Sequence, residues 1–294
     1  MNKSIGQREY VAGYLFILPV ILLLIGLVGV PFVQGFHYSF TDWKGGSTWN
    51  YVGLRNFSEL LHNDDFYVAL KNNVLVVLTI PLWVFVPLLL AAAIHGKVAL
   101  SRFYKIVYFF PTLFSPVIIG MIFKYLLNDD GAVNAFLRTI GLSDLAMDWL
   151  ASEHISMLTI AFVFVWSTFG TSVIIYLAGL SNVNPEMMEA ARIDGAGWLR
   201  IFTSVTLPAI KPMIELGFTL SLIGSFKSVF VYIYVLTYGG PANSTNTLDF
   251  LIYRFAFRSG EMGLSAAVGV YMLLFAVALL IVMKLIFFRG QRDE

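Results

Sequence analysis

The sequence predicts an all-α polytopic membrane protein with six transmembrane helices, and three observations lead to this fold class. Apolar residues make up 58% of the 294 residues, charged residues only 13%, and the mean hydropathy is +0.78. A soluble domain carries about a quarter charged residues, because water must solvate its exterior. Six stretches are each long and apolar enough to cross about 30 Å of hydrocarbon. Because unpaired backbone cannot face lipid, each stretch should be helical.

Composition and motifs also exclude several functions. The net charge of +1 leaves no basic face for nucleic acid. The absence of cysteine excludes disulfides, thiolate metal sites and a thiol nucleophile. The four histidines are scattered without an H-E-x-x-H pattern, and neither a G-x-S-G nucleophile site nor a Walker loop is present. We therefore expect no catalytic residues, no metal and no cofactor bound by this chain.

The predicted spans cover residues 11–36, 72–95, 105–127, 155–180, 212–237 and 263–288. Lys3 and Arg8 precede the first span, as basic residues precede a signal peptide. Its apolar run is longer than a typical signal sequence, however, and no A-x-A-like cleavage site follows. We expect an uncleaved spanning helix, and residues 1–294 are expected to form a single transmembrane domain.

The loop charges predict the orientation. One set of loops and termini carries eleven lysine and arginine residues and the opposite set carries six. Cytoplasmic loops are the richer in lysine and arginine, so both termini should be cytoplasmic, as six crossings require. The eleven are Lys3, Arg8, Lys97, Arg102, Lys105, Arg192, Arg200, Lys211, Lys284, Arg289 and Arg292.

The predicted cytoplasmic loop 181–211 is the most informative segment. Asn184 followed by Pro185 is a good helix start, and Gly195 can end that helix. A second short helix, over about 196–205, would present an apolar face at i, i+3, i+4 and i+7. That face consists of Trp198, Ile201, Phe202 and Val205. Such helices can dock in a partner's groove or rest on lipid headgroups, and spacing alone leaves both open.

This loop resembles the EAA motif of ABC importer permeases, in which E-A-A is followed after three residues by G and after nine more by I-x-L-P. The residues in register are Glu189, Ala190, Ala191, Asp194, Gly195, Leu207 and Pro208. Val205 stands where the family usually has isoleucine. The resemblance implies coupling helices that dock on an ATPase subunit.

Two further segments resemble the carbohydrate-uptake branch of these permeases, the maltose, multiple-sugar and glycerol-phosphate type. They are Val52–Phe57, and Val235–Pro241 with its L-T-x-G-G-P pattern. Val231 departs from the branch, which often has Asp there. The resemblance implies the type I importer fold in a bacterial cell membrane. It also implies four kinds of partner: a second homologous permease, two copies of an ATPase that hydrolyses ATP with Mg, an extracytoplasmic solute-binding protein and a carbohydrate substrate.

Two other transporter classes remain as alternatives. One is an ABC permease for a non-sugar solute, which the EAA loop allows but the L-T-x-G-G-P pattern disfavours. The other is an ion-coupled secondary transporter, which would often carry inverted repeats and paired intramembrane carboxylates. Glu215 is the sole acidic residue inside a predicted span, so this class is also disfavoured.

Polar side chains within the spans are candidates for a substrate pathway. Lys227 lies ten residues before Thr237, which is roughly 15 Å from the outer end and near the bilayer centre. It should face the bundle interior, a watery cavity or the partner subunit. Hydroxyl and aromatic side chains add further candidates, although small hydroxyl residues also serve helix packing. These are Trp166, Thr168, Ser172, Ser221 and Ser225.

Overall fold

The computed structural model describes residues 7–95 and 101–288, and its regular structure is helical apart from one isolated β-bridge between Thr41 and Tyr51. The predicted all-α class is therefore confirmed. Lys3, Lys97, Arg289 and Arg292, which entered the charge count, lie outside the described residues. The helices are α1 (Gln7–Leu24), α2 (Val30–Tyr38), α3 (Arg55–Leu60), α4 (Asp64–Leu78), α5 (Ile80–His95), α6 (Ser101–Phe109), α7 (Pro116–Leu126), α8 (Ala132–Thr139), α9 (Ser156–Ser181), α10 (Pro185–Ile193), α11 (Trp198–Ile201), α12 (Leu207–Ala209), α13 (Lys211–Lys227), α14 (Val229–Leu236), α15 (Leu248–Tyr253) and α16 (Met262–Phe288).

Among the described residues, four helices are long and apolar enough to cross a membrane alone: Ala12–Tyr38, Asp64–His95, Ser156–Ser181 and Met262–Leu285. Two bent pairs of helices raise the number of candidate spans to as many as six. The sequence predicts one domain, whereas contacts divide the described chain into two compact units. One unit comprises residues 7–63 and 252–271, and the other comprises residues 64–251 and 272–288.

The first unit begins with a long apolar helix. A π-helical turn, Ile25–Gly29, joins α1 to α2, and no side chain between Ala12 and Tyr38 is buried. A helix that is apolar on every side requires lipid or another chain around it.

The loop that follows α2 is held by hydrogen bonds within this unit. The Asn56 side chain donates to the carbonyls of Ser39 and Thr41, each at 2.8 Å. The Asn50 amide and side chain donate to Asp42, and these bonds lower the pKa of its carboxyl. Because the Asn56 side chain donates to two backbone carbonyls, it fixes the loop backbone at both Ser39 and Thr41.

In the second unit α9 is the central helix, with α5, α6, α7, α13 and α14 packed around it. Its core holds an aromatic cluster in which the Phe164 ring lies 4.5 Å from Trp83 and 5.6 Å from Tyr232. The Tyr232 hydroxyl donates to the Ser167 hydroxyl at 2.7 Å. Burying aromatic rings with their polar ends paired fixes the positions of α5, α9 and α14.

The prediction of one continuous helix over 105–127 is wrong. The helical stretches Phe103–Leu113 and Pro116–Leu126 meet at an angle of 100°. Two prolines explain the break, because Pro111 and Pro116 remove helix donors and disfavour helical backbone before them. Ser115, directly before Pro116, is accordingly extended with ψ of 140°.

The predicted span 212–237 is also interrupted. Within this span α13 ends at Lys227 and α14 starts at Val229, and just before the span the helical stretches Trp198–Ala209 and Lys211–Lys227 meet at 72°. The helix of the second span begins earlier than predicted, at Asp64 rather than residue 72. Polar residues in the first turns of α4 lower the local hydropathy, so a prediction from hydropathy places the start of this helix too late.

The residues that follow the L-T-x-G-G-P pattern are held by α4, and Val235 at the start of that segment is held by α7. The Asn72 side chain donates to the carbonyls of Ser244 and Asn246 at 2.7 Å, and the Asn73 side chain accepts from the Leu248 amide at 2.8 Å. Lys124 on α7 donates to the Val235 carbonyl at 3.3 Å. These bonds fix residues 244–248 against α4 and the end of α14 against α7.

Candidate functional site

The loop between α9 and α12 folds as two short helices separated by a tight turn. The Asn184 side chain accepts a hydrogen bond from the Glu186 amide at 2.9 Å, which confirms the predicted start of α10. At the other end Gly195 has φ of +80°, and the Ala196 amide donates to the Ala191 carbonyl at 2.9 Å. This is the left-handed glycine that commonly ends a helix, as predicted.

The motif side chains lie mostly at the surface of this loop. Glu189, Ala190, Asp194 and Pro208 are exposed, whereas Ala191 and Leu207 are half-buried. An exposed carboxylate beside an exposed small residue leaves the outer face of α10 free for contact with another molecule.

The predicted apolar face of the second helix does not form as one exposed surface. Ile201 and Phe202 are only 6% and 7% exposed, because they pack into the chain's own core. The α-helical geometry also stops at Ile201, and a π-helical turn, Phe202–Thr206, changes the direction of the side chains that follow. Trp198 stays exposed and stacks on Phe202 at 5.4 Å. Val205 is half-buried.

A different set of apolar side chains is exposed on the loop. They are Met187, Ile193, Trp198 and Leu199. Ile193 is 86% exposed and Leu199 is 66% exposed, which is costly for large aliphatic side chains in water. A cluster of exposed apolar residues rimmed by charges is typical of a protein interface.

Replacing Gly195 by alanine should weaken the turn without any steric conflict inside the chain. A Cβ at Gly195 meets nothing within 4 Å, so the penalty is the left-handed backbone alone, about 1 kcal/mol. Gly197→Ala is the matched control, because that glycine is equally open but has an ordinary φ of −68°. Thermal unfolding of the two variants in detergent should show a lower Tm for Gly195→Ala only. Equal Tm values would contradict the role of the turn.

A second candidate site is a cavity of about 280 Å³ between α5, α9 and α13. Aromatic and hydroxyl side chains contribute most of its polar atoms. Its lining residues are Trp83, Phe164, Thr168, Thr171, Ser172, Ile175, Tyr176, Gly217, Leu220, Ser221, Gly224 and Ser228.

Two buried polar atoms belong to residues that line this cavity. Trp83 is 4% exposed and Tyr176 is fully buried, yet Trp83 Nε1 and the Tyr176 hydroxyl have no hydrogen-bond partner among the described residues. Leaving such atoms unpaired costs about 1–3 kcal/mol each, and either side chain would have to shift before water or a polar ligand in the cavity could pair with it. Aromatic faces with a few convergent hydroxyl groups suit a polar organic ligand.

The structure brings some of the sequence candidates together and separates others. Thr168, Ser172 and Ser221 all line the cavity. Ser225 is buried and donates to the Leu222 carbonyl at 2.7 Å, which is a helix-packing role. Trp166 lies on another face of α9, with its ring 5.1 Å from Phe123. Sequence reasoning missed Trp83, because α5 is apolar along its whole length and nothing distinguishes one face.

The charged residues of the spans differ in their partners. Lys227 ends α13 and is exposed, and its ammonium forms no hydrogen bond or ion pair with any residue that the structure describes. Lys211 and Glu215, one helical turn apart, do not form the ion pair that their spacing allows. Lys227 is therefore free to meet another subunit, water or a solute.

Comparison with known proteins identifies the family. Residues 60–290 match the family model described as "Binding-protein-dependent transport system inner membrane component". The chain is 34% identical to the probable ABC transporter permease protein YurN of Bacillus subtilis, over 98% of this chain and 99% of that protein. It is 33% identical to the diacetylchitobiose uptake system permease protein NgcF of Streptomyces coelicolor, over 91% of this chain and 80% of that one.

A solved structure has the same fold. It is a bacterial ABC transporter involved in the import of the acidic polysaccharide alginate, and one of its chains superposes with a TM-score of 0.82. The two chains are 23% identical, and the superposition covers 96% of each. With the family match spanning most of the sequence, the chain belongs to the family of inner membrane permease components of binding-protein-dependent ABC transport systems.

Proposed function

We propose that this chain is the permease subunit of an ATP-driven importer for a sugar or oligosaccharide. It would pair with a second homologous permease, and two copies of a separate ATPase would bind and hydrolyse ATP with Mg on the cytoplasmic side. A solute-binding protein would deliver the substrate from the opposite side. The relatives' names support the carbohydrate class, since one serves diacetylchitobiose and another, 34% identical, arabinooligosaccharides. The subunit itself performs no bond chemistry.

The observation that carries this proposal is the loop around Glu189. α10 is rigidly capped at both ends, exposes its motif carboxylate and presents the exposed apolar residues Ile193, Trp198 and Leu199 beside it. The loop continues without interruption into Leu207–Ala209, which meets α13 at the 72° bend. A partner that binds the loop and then moves would therefore also move α13, which lines the cavity. Closure of the ATPase subunits could in this way be transmitted through the loop to the helices that line the substrate path.

The proposed orientation places both termini and loop 181–211 in the cytoplasm of a bacterial cell. Arg192 and Arg200 in this loop support it, because basic residues concentrate in cytoplasmic loops. The opposite loop, between α7 and α9, carries Asp129, Asp130 and Asp144. A second permease would fit two features: the first helix has no buried side chain and requires lipid or another chain around it, and exposed Lys227 requires water or a polar partner.

Glu189→Lys is expected to abolish uptake, because a reversed charge on the exposed face of α10 would repel the ATPase surface that receives the carboxylate. Uptake of labelled oligosaccharide into cells and co-purification of the ATPase subunit measure the effect. Asp144→Lys, an equal charge change on the far loop, should leave ATPase binding intact. Normal uptake by Glu189→Lys, or transport by this chain without any ATPase, would refute the proposal.

A further inference from the structure

The cavity between α5, α9 and α13 has an unusual balance of hydrogen-bonding groups. Its lining side chains supply five aliphatic hydroxyls, a phenol and an indole, and none of them is a carboxylate or an amide. Two of the donors, Trp83 Nε1 and the Tyr176 hydroxyl, have no partner among the described residues. The cavity wall from this chain therefore offers mainly hydroxyl groups, which both donate and accept hydrogen bonds, and it carries no negative charge.

Lys227 lies immediately beside this wall. It precedes Ser228, a lining residue, at the point where α13 ends and α14 begins. Its side chain is exposed and forms no ion pair within the described part of the chain. Glu215 is twelve residues earlier on the same helix, roughly 18 Å away along its axis. No acidic residue of this helix can therefore neutralise the ammonium.

An uncompensated ammonium near the middle of a bilayer must face water or a polar partner, because exposure to hydrocarbon is strongly unfavourable. In a water-filled cleft with low-dielectric walls, such a charge produces a positive potential that concentrates anions. The wall hydroxyl groups can donate to a carboxylate or phosphate, and no wall carboxylate repels it, so an anionic sugar gains more from the ammonium than a neutral sugar does.

We propose that Lys227 makes the translocation path electropositive, and that the transported sugar carries an anionic group, either a carboxylate or a phosphate. This rests on the proposed function, in which the cavity belongs to the path. Lys227 would then be a specificity-determining residue, attracting the anionic group while the hydroxyls and rings of the cavity bind the rest of the sugar.

The path potential can be measured without knowing the substrate. The chain has no cysteine, so Ser221→Cys gives a single thiol in the cavity wall once the thiols of the partner subunits have been removed by substitution. In the membrane-embedded complex, this thiol is reacted with two methanethiosulfonates, one bearing a sulfonate and one bearing a trimethylammonium group. The ratio of their rates reports the local potential.

We expect Lys227→Met to lower the sulfonate-to-ammonium rate ratio about tenfold, since the two probes differ by two charges and lie within two helical turns of the lysine. Lys227→Arg should preserve the ratio. Lys124→Met is the matched control, because that ammonium donates to the Val235 carbonyl instead, and it should leave the ratio unchanged.

The outcomes separate this inference from the proposed function. If the thiol reacts but its rate ratio does not depend on Lys227, the anionic selectivity is refuted while the cavity keeps its place on the path. If the thiol reacts with neither reagent, the cavity is not on the path, and that part of the proposed function fails with the inference.

Substrate uptake provides a second, independent test of this inference. A uronic-acid disaccharide, a disaccharide phosphate and their neutral counterpart are compared in cells carrying the wild type or Lys227→Met. We expect Lys227→Met to lower uptake of an anionic sugar at least tenfold relative to the neutral one, and which anionic sugar responds identifies carboxylate or phosphate. An equal loss for all three sugars, together with loss of the second permease on purification, would show that Lys227 is a subunit contact and would overturn the inference.

Discussion

Replacing Gly170 by alanine is expected to prevent α6 from packing on α9. A Cβ at this position would overlap the Tyr108 carbonyl and lie 2.7 Å from Phe109 Cα, so the obstruction is backbone and cannot rotate away. Overpacking of this kind costs about 3 kcal/mol, which is a large share of the stability of a single chain. Fluorescence-detected size-exclusion chromatography after a thermal ramp should show a strongly lowered Tm and loss of the monodisperse peak.

Gly224→Ala provides the control for this variant. Its added Cβ would lie 3.5 Å from Phe164 Cζ, an ordinary van der Waals contact in the same helical unit. The Tm of Gly224→Ala should therefore stay close to that of the wild type. An equal decrease in Tm for both variants would show that the close approach of α6 and α9 at Gly170 does not determine how α6 packs.

Asn134→Asp is expected to unfold the loop between α7 and α9. Asn134 is fully buried, and its side-chain amide donates to the carbonyls of Asn128, Asp129 and Met147 at 2.7–3.1 Å. Its Oδ1 accepts from Trp149 Nε1 at 2.9 Å. Aspartate keeps the shape and the acceptor but places a carboxylate against three carbonyl oxygens, which should cost about 3 kcal/mol or more.

Limited proteolysis of the purified protein is the direct measurement, because residues 127–155 should become cleavable while the rest of the bundle resists. Asn128→Asp is the control, since Asn128 is exposed and its oxygen accepts from the Asp130 amide, an interaction that aspartate retains. A protease-resistant loop in Asn134→Asp would mean that the Arg138–Asp129 ion pair or apolar packing holds the loop instead.

Local patterns predicted some features of this protein reliably. The helix start at Asn184 and its end at Gly195 depend on hydrogen bonds between residues close in the chain, so the sequence contains all the information they need. The all-helical class follows in the same way from composition, because a chain in lipid has few other means of pairing its backbone.

Other features depend on contacts between distant residues and could not be predicted from the sequence. Ile201 and Phe202 have the spacing of an exposed apolar face, yet packing within the chain buries them and a π-helical turn alters the register. The 100° bend before Pro116 was equally hidden, since proline inside an apolar run is compatible with either a kinked or a broken helix. Hydropathy measures how apolar a segment is and contains no information about which neighbour covers it.

The sequence by itself determined that this chain is a helical membrane protein with a capped, motif-bearing loop between two spans. Only the tertiary structure decided which side chains meet: it placed Thr168, Ser172 and Ser221 around one cavity with Trp83 and Tyr176, and directed Trp166 and Ser225 elsewhere. The physical reason is that each helix has polar groups on several faces. Which of those faces line a common space depends on how α5, α9 and α13 pack against each other.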